Sequence, residues 1–240
     1  MEALVRSEML LGEAALRRLA GAHVAVFGIG GVGSYAAEAL ARSGVGELSL
    51  FDPDVVAPSN LNRQLVALHS TLGQHKAEVM RARVLDINPQ ARVHAHRLFY
   101  GAETQHEVDI AAFDYVVDAV DTVSAKLLLV ERARAAGTPI VSCMGAGNKL
   151  DASAFVVADV YDTQGCPLAR IMRRELRARG IDRLTVVYSR EAPRKPAFAP
   201  PDSARRATPG SVAFVPPVAG LLAAGVAVQA LIADEYQFQT

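Results

Sequence analysis

The chain has 240 residues, no net formal charge at pH 7 and 51% hydrophobic residues. This composition excludes global disorder, and it creates no whole-molecule field that would attract nucleic acid. Two cysteines, Cys143 and Cys166, are too few for a disulfide framework or a four-cysteine zinc site, and they suit a reducing cytosol. We therefore expect a cytoplasmic location.

Strands and helices alternate along the chain as far as about residue 147. The sequence predicts helices over about 1–21, 30–44, 75–87, 122–137 and 167–180, and strands within 23–28, 46–52, 91–99, 113–121, 139–147, 154–161 and 184–189. This order predicts an α/β fold: a Rossmann-like, mainly parallel sheet with helices on both faces, extended by further strands and a basic helix. We expect a single domain over 1–240, with a nucleotide-binding core at 1–147 and an extension at 148–240.

Two segments of the extension have unusual composition. Residues 190–210 are basic and rich in proline, which predicts a mobile loop. Residues 207–233 carry no charge, but Pro216 and Pro217 should break a helix there. The helix left at 218–233 would span roughly 24 Å, less than the hydrocarbon core of about 30 Å. A buried helix is therefore favoured over a membrane span.

The glycine-rich run GIGGVG follows the first strand and opens a helix. Such a loop lets the backbone approach a phosphate at a helix N-terminus, so we expect it to bind a nucleotide through Gly28, Gly30, Gly31 and Gly33. Asp52 comes nineteen residues after Gly33, at the end of the next strand. That position is suited to accepting hydrogen bonds from ribose hydroxyls.

The run SNLNRQ, which follows Asp52, bears on the choice of nucleotide. Arg63 carries a planar donor fork suited to phosphate oxygens, and Lys76 could bring a second cation. Enzymes that attack the α-phosphorus of ATP need such cations and a metal, and the motif DAVDT offers Asp118 and Asp121 as hard oxygen ligands. Taken singly, each residue could instead be a solvated charge or a helix cap.

These motifs, together with GQHKAE and DAVDT, resemble those of the ubiquitin-activating enzymes and their bacterial relatives that adenylate sulfur-carrier proteins. The resemblance covers about residues 10–150. In the second half, CPLARIMRRELRARGI, VVYSREAP and GSVAFVPPVAG are similar to the tRNA threonylcarbamoyladenosine dehydratases within that superfamily. Enzymes of this family close the N6-threonylcarbamoyl side chain of an adenosine next to the tRNA anticodon into a ring. The resemblance implies a homodimer that requires ATP and magnesium.

The resemblance also implies roles for individual residues. It implies that Asp52 holds the ribose, that Asn60, Arg63, Gln64 and Lys76 surround the phosphates, and that Asp121 holds magnesium, with Asp118 as a weaker candidate. Arg63, Lys76 and Asp121 are thus the candidate catalytic residues. Superfamily members commonly place an N-terminal arginine at the partner subunit's ATP, but Arg6 does not align with that position.

A basic stretch supplies candidates for contact with tRNA. From Arg170 to Arg206 there are eleven Arg or Lys residues and four Asp or Glu residues. The candidates are Arg170, Arg173, Arg174 and Arg177, which share one face of the predicted helix, and Arg194 and Lys195 in the loop, which also contains Arg205 and Arg206. Phosphate contacts from these side chains would give an affinity that falls with salt. The alternative is a solvated helix and linker.

Two other functions stay open. One is adenylation of a carrier protein ahead of sulfur transfer, with a cysteine desulfurase or sulfur acceptor as partner. The absence of two CxxC pairs weighs against that branch. The other is a dinucleotide-dependent oxidoreductase or a nucleotide-sensing scaffold. Cys143 and Cys166 are expected to be packing residues rather than nucleophiles.

Overall fold

A computed structural model describes residues 2–198 and 209–235 of the chain. Its centre is a seven-stranded sheet in the order β3-β2-β1-β4-β5-β7-β6. The strands are β1 His23–Phe27, β2 Glu47–Phe51, β3 Arg92–His96, β4 Tyr115–Asp118, β5 Ile140–Cys143, β6 Phe155–Asp159 and β7 Thr185–Ser189. All neighbouring pairs are parallel except β6 and β7, which pair antiparallel. The predicted mainly parallel α/β sheet is confirmed.

The helices are α1 Val5–Leu11, α2 Glu13–Ala20, α3 Gly33–Arg42, α4 Lys76–Ile87, α5 Val123–Ala136, α6 Pro167–Ala178 and α7 Pro216–Leu231. One core cluster joins α2, α3, α4 and α7 to one face of the sheet. A second joins α5 and α6 to β7, and a third packs Phe27, Phe51 and Tyr100 together on the other face. Helices on both faces leave the carboxyl ends of the parallel strands as an open edge, where ligands bind in such sheets.

Two helical predictions are wrong in detail. The predicted N-terminal helix is divided at Gly12 into α1 and α2. Pro216 and Pro217 do not break α7 but form its first turn, where a missing backbone N–H costs nothing because that group has no partner within the helix. Among the described residues, no helix combines the length and the apolar character needed to cross a bilayer.

The C-terminal strands β6 and β7 join the same sheet as the N-terminal strands, with β7 next to β5. Helix α7 returns to pack against α3, so the chain's last helix covers the helix that the glycine loop opens. Part of the predicted mobile loop, residues 199–208 with Arg205 and Arg206, lies outside the described residues. Its mobility stays a prediction.

Candidate active site

The glycine loop connects β1 to α3 and forms one wall of a pocket. Gly28 has a φ of +87°, and a Cβ atom there would lie 2.7 Å from the carbonyl oxygen of Ala119. A Cβ on Gly33 would lie 1.7 Å from the Gly28 carbonyl oxygen, so no side chain fits between helix and strand. Gly28, Gly30 and Gly31 line the pocket, whereas Gly33 does not. Gly33 thus supports the predicted loop through packing.

Asp52 directly follows β2, is buried and lines this pocket. Its Oδ2 accepts a hydrogen bond from the Ile29 backbone N–H at 2.7 Å, and its Oδ1 accepts one from Asp54 N–H at 2.9 Å. Burial raises the pKa of the Asp52 carboxyl, while the Lys76 ammonium and these two hydrogen bonds oppose the rise. A carboxylate oxygen can accept a second hydrogen bond, so Asp52 can hold the loop and still accept from a hydroxyl of a ligand.

Lys76 begins α4, and its side chain is only 7% exposed. The ammonium Nζ lies 2.8 Å from Asp54 Oδ2 and 4.0 Å from Asp52 Oδ1. The Asp54 side chain is 64% exposed, so a phosphate entering the pocket can compete with it for the ammonium. The ion pair thus holds a cation ready at the pocket wall.

The turn that follows β2 brings three of the predicted polar residues to the same pocket: Asn60, Arg63 and Gln64. The Arg63 Nη1 donates to the Ser59 carbonyl oxygen at 2.9 Å and to Asn62 Oδ1 at 2.8 Å. Burial lowers the pKa of the Arg63 guanidinium, although an arginine stays charged at neutral pH. The buried Gln64 Oε1 has no hydrogen-bond partner among the described residues. Such an atom in a pocket wall is available to a ligand.

Asp118, the last residue of β4, and Asp121, three residues later, have different surroundings. Asp121 is exposed and lines the pocket. Asp118 is fully buried, with Lys126 Nζ at 3.0 Å and 3.1 Å from its two oxygens and Ser142 Oγ donating at 2.5 Å. Because its oxygens are committed to these partners and it does not line the pocket, the structure corrects the weaker prediction that Asp118 could bind a metal.

The pocket has a volume of about 470 Å³, within the range of roughly 300–1,000 Å³ seen for small-molecule sites. The predicted residues that line it are Gly28, Gly30, Gly31, Asp52, Asn60, Arg63, Gln64, Lys76 and Asp121. An apolar wall adds Phe27, Phe51, Leu98, Phe99 and Tyr100. Cations and amides on one side and aromatic rings on the other suit a ligand that carries phosphates and a planar base.

The sequence pattern did not predict the apolar wall, nor did it predict that residues 209–216 contribute to the pocket. Residues 98–100 follow β3, although the sequence pattern predicts a strand that extends to residue 99, and Phe99 is 53% exposed in the pocket wall. Pro209, Ser211 and Pro216 reach the pocket from far along the chain. Apolar periodicity does not reveal such long-range placement.

A magnesium ion bound with a nucleotide needs few protein ligands, since it is usually held by one or two carboxylates together with phosphate oxygens and water. The exposed carboxylate of Asp121 in the pocket fits this requirement. Among the described residues, His23, Glu47 and His94 form another potential metal-ligand cluster. That cluster lies outside the pocket, and Arg92 donates to Glu47 within it.

The basic helix α6 lies apart from the pocket. Arg170, Arg174 and Arg177 are exposed, and the Arg177 guanidinium lies 5.0 Å from the centre of the Tyr161 ring. Arg173 is partly buried and donates to the Thr163 carbonyl oxygen at 2.8 Å. Arg173 is therefore less available to a ligand than the other three.

Arg194 and Lys195 are both exposed, and Arg194 pairs with Glu191 at 3.0 Å. Neither residue lines the pocket. Contact of these residues and of the α6 arginines with tRNA stays a prediction.

Both cysteines are buried thiols outside the pocket. Burial raises the pKa of Cys143 to about 12, which strongly disfavours the nucleophilic thiolate. Cys166 lies in the apolar cluster beneath α6. Their positions agree with the predicted packing role.

Together, the doubly wound sheet, the glycine loop at its open edge and the clustered cations define a nucleotide-binding α/β protein. The comparison with known families is more specific. Residues 4–239 match the ThiF family, and the chain belongs to it.

Similar proteins extend this comparison over nearly the whole chain. The tRNA threonylcarbamoyladenosine dehydratase of Bacillus subtilis is 44% identical over 239 residues, covering 95% of this chain and 94% of that one. Crystal structures of the E. coli tRNA N6-threonylcarbamoyladenosine dehydratase are similar at 34% identity, covering 98% of this chain and 95% of that one. The TM-score is 0.89 for its complex with AMP and 0.86 for its complex with ATP.

Proposed function

We propose that this protein is an ATP-dependent tRNA threonylcarbamoyladenosine dehydratase. The observation that carries the proposal is the convergence of Arg63, Lys76 and Asp121 on the pocket that the glycine loop and Asp52 form. The names of its similar proteins support the substrate, and their complexes with AMP and ATP support the nucleotide.

The reaction begins with activation of a carboxylate. An oxygen of the threonyl carboxylate attacks the α-phosphorus of ATP, the bond to the bridging oxygen breaks, and pyrophosphate leaves. Arg63 donates to phosphate oxygens through its planar fork, and Lys76 adds a second positive charge where negative charge accumulates. Asp121 would hold magnesium, which when bound supplies further neutralisation of phosphate charge.

Ring closure follows from the acyl-adenylate. An atom of the neighbouring carbamoyl group attacks the activated carbonyl carbon, and AMP leaves with the electron pair of the broken bond. The carbamoyl group loses a proton, so one water is removed overall. The substrate carries its own nucleophile, which agrees with the burial of both cysteine thiols.

The proposal extends to partners and location. The exposed arginines of α6 would bind tRNA phosphates. The resemblance supports a cytoplasmic homodimer, and Met9 and Leu10, which are 84% and 70% exposed on α1, offer apolar surface for a second copy. Light scattering of the purified protein would test the dimer. A sulfur-transfer partner stays a prediction.

Mass analysis of tRNA nucleosides tests the proposed function. Wild-type protein incubated with ATP, magnesium and tRNA that carries N6-threonylcarbamoyladenosine should remove one water from that nucleoside and release AMP and pyrophosphate. Pyrophosphate exchange that depends on a carrier protein instead of tRNA would favour carrier-protein adenylation. Binding of NAD without binding of ATP would favour the oxidoreductase or sensor.

A further inference from the structure

A loop after β5 joins two distant parts of the chain at the pocket. Asn148 has a φ of 59° and is the non-glycine residue with a positive φ among those that the structure describes. Its backbone N–H donates to the Gly210 carbonyl oxygen at 2.7 Å, and its Oδ1 accepts from Gly210 N–H at 2.6 Å. Its carbonyl oxygen accepts from Arg194 N–H at 2.7 Å. Asn148 thus holds positions 194 and 210 together.

A second asparagine holds the next residue of the same segment. The Asn62 Nδ2 donates to the Ser211 carbonyl oxygen at 2.9 Å. The Asn62 Oδ1 accepts from Arg63 Nη1 at 2.8 Å. One amide side chain therefore joins residue 211 to the guanidinium that we assign to ATP phosphates.

Residues 209–211, which the two asparagines hold by hydrogen bonds, form part of the pocket. Pro209 and Ser211 line it, as does Gly147. A Cβ atom on Gly147 would lie 2.6 Å from the Pro209 Cβ, so the two segments are in close contact. The hydrogen bonds run from Arg63 through Asn62, residues 210–211 and Asn148 to the backbone of Arg194.

We propose that Asn62 and Asn148 are positioning residues that hold residues 209–211 as a wall of the nucleotide pocket. The inference rests on the proposed function, in which a carboxylate carried by tRNA must meet the α-phosphate inside this pocket. The wall joins Arg63, which lines the pocket, to the exposed Arg194, which is a candidate for contact with tRNA. A small displacement of this wall would separate the reacting atoms, and misplacement by about 1 Å can cost roughly a hundredfold in rate.

The conformation of Asn148 allows its side chain to be tested separately from its backbone. Glycine, asparagine and aspartate adopt the left-handed conformation readily. N148G keeps the backbone shape and removes the Oδ1 acceptor, whereas N148D keeps a carboxylate oxygen that can accept from Gly210 N–H. A single hydrogen bond of this kind contributes only about 0.5–1.5 kcal/mol to stability, so both variants should fold.

The experiment is steady-state dehydration of modified tRNA by the full-length protein, with ATP affinity measured separately without tRNA. For N148G we expect kcat/KM for tRNA to fall about tenfold, with ATP affinity changed less than about twofold. For N148D we expect kcat within about threefold of wild type. For N62A we expect a loss in kcat/KM for both substrates, because Arg63 also loses a partner. N88G, at an asparagine that ends α4 outside the pocket, is the matched control.

Two results would overturn the proposal. The first is N148G with the tRNA kinetics of wild type. The second is an equal loss of kcat/KM for tRNA in N148G and N148D, which would show that the acceptor does not matter. In both cases wild-type activity leaves the proposed function standing. A wild-type protein that leaves the tRNA unchanged would instead contradict the proposed function, and this inference with it.

Discussion

Lys126 and Asp118 form an ion pair at the centre of the sheet, where both side chains are 0% exposed and Nζ lies 3.0 Å from Oδ2. Asp118 Oδ1 also accepts from the Val120 backbone N–H at 3.2 Å. Val120 directly precedes Asp121, the residue that we assign to magnesium. The buried pair therefore fixes the path of the chain from β4 into the pocket.

Replacement of Lys126 by methionine should destabilise the protein strongly. It leaves the Asp118 carboxylate buried without its countercharge, which typically costs about 3–5 kcal/mol. The free energy of unfolding in urea would measure the loss. R134A, which breaks the exposed pair with Asp182, is the control and should cost far less, because solvent screens exposed charges. Equal losses in the two variants would show that the buried pair is unimportant.

Replacement of Arg63 should reduce adenylation without unfolding the protein. R63A removes a donor to phosphate, and loss of one such donor typically costs about 10²–10³ in kcat. R63K should not restore the rate, because lysine lacks the planar fork. Release of AMP measures both variants. R81A, at an exposed arginine on α4 outside the pocket, should behave as wild type. Full activity in R63A would show that Arg63 has no role in adenylation.

Binding of ATP should weaken at acid pH because of Asp52. Burial raises the pKa of this carboxyl, so protonation begins above the ordinary aspartate pKa of 3.8. Because the pKa is raised in the folded state, protonation of Asp52 favours the folded state over the unfolded one. The expected effect of acid pH is therefore weaker binding of ATP and not unfolding of the protein. Calorimetric titration between neutral pH and the aspartate range should show a steeper loss for wild type than for D52N. Parallel curves would contradict the role of Asp52.

Binding of tRNA should depend on the exposed face of α6. We expect R170A/R174A/R177A to bind modified tRNA more weakly. The slope of the logarithm of the binding constant against the logarithm of the salt concentration should become shallower by up to about one per lost phosphate contact. Arg173 is left in place because it contacts Thr163. R17A/R42A/R81A removes the same charge from α2, α3 and α4 and serves as control. An unchanged slope in the α6 variant would show that these arginines do not contact tRNA.

The local part of the site could be predicted from the sequence. Gly28 and Asp52 each directly follow a strand and Lys76 begins a helix. The carboxyl ends of parallel strands meet at one edge, so the convergence of these residues follows from the order of elements. The motif DAVDT offered both Asp118 and Asp121 as metal ligands, and the family resemblance favoured Asp121.

The rest depends on tertiary contacts that periodicity does not encode. The spacing of DAVDT did not show that Asp118 faces Lys126 inside the sheet. Nor did the sequence show that Pro209 and Ser211 return to the pocket, because that placement depends on α7 packing against α3. Asn62 and Asn148 act through hydrogen bonds to this returning segment, which is far from both of them in the chain.

A crystal structure of the protein with ATP and manganese, used in place of magnesium, tests the central claim most directly. We predict that the triphosphate lies over the glycine loop, with Arg63 and Lys76 within hydrogen-bond distance of its oxygens. An anomalous peak for manganese should lie beside Asp121. A triphosphate bound elsewhere, or bound in this pocket with these three side chains turned away, would contradict the account.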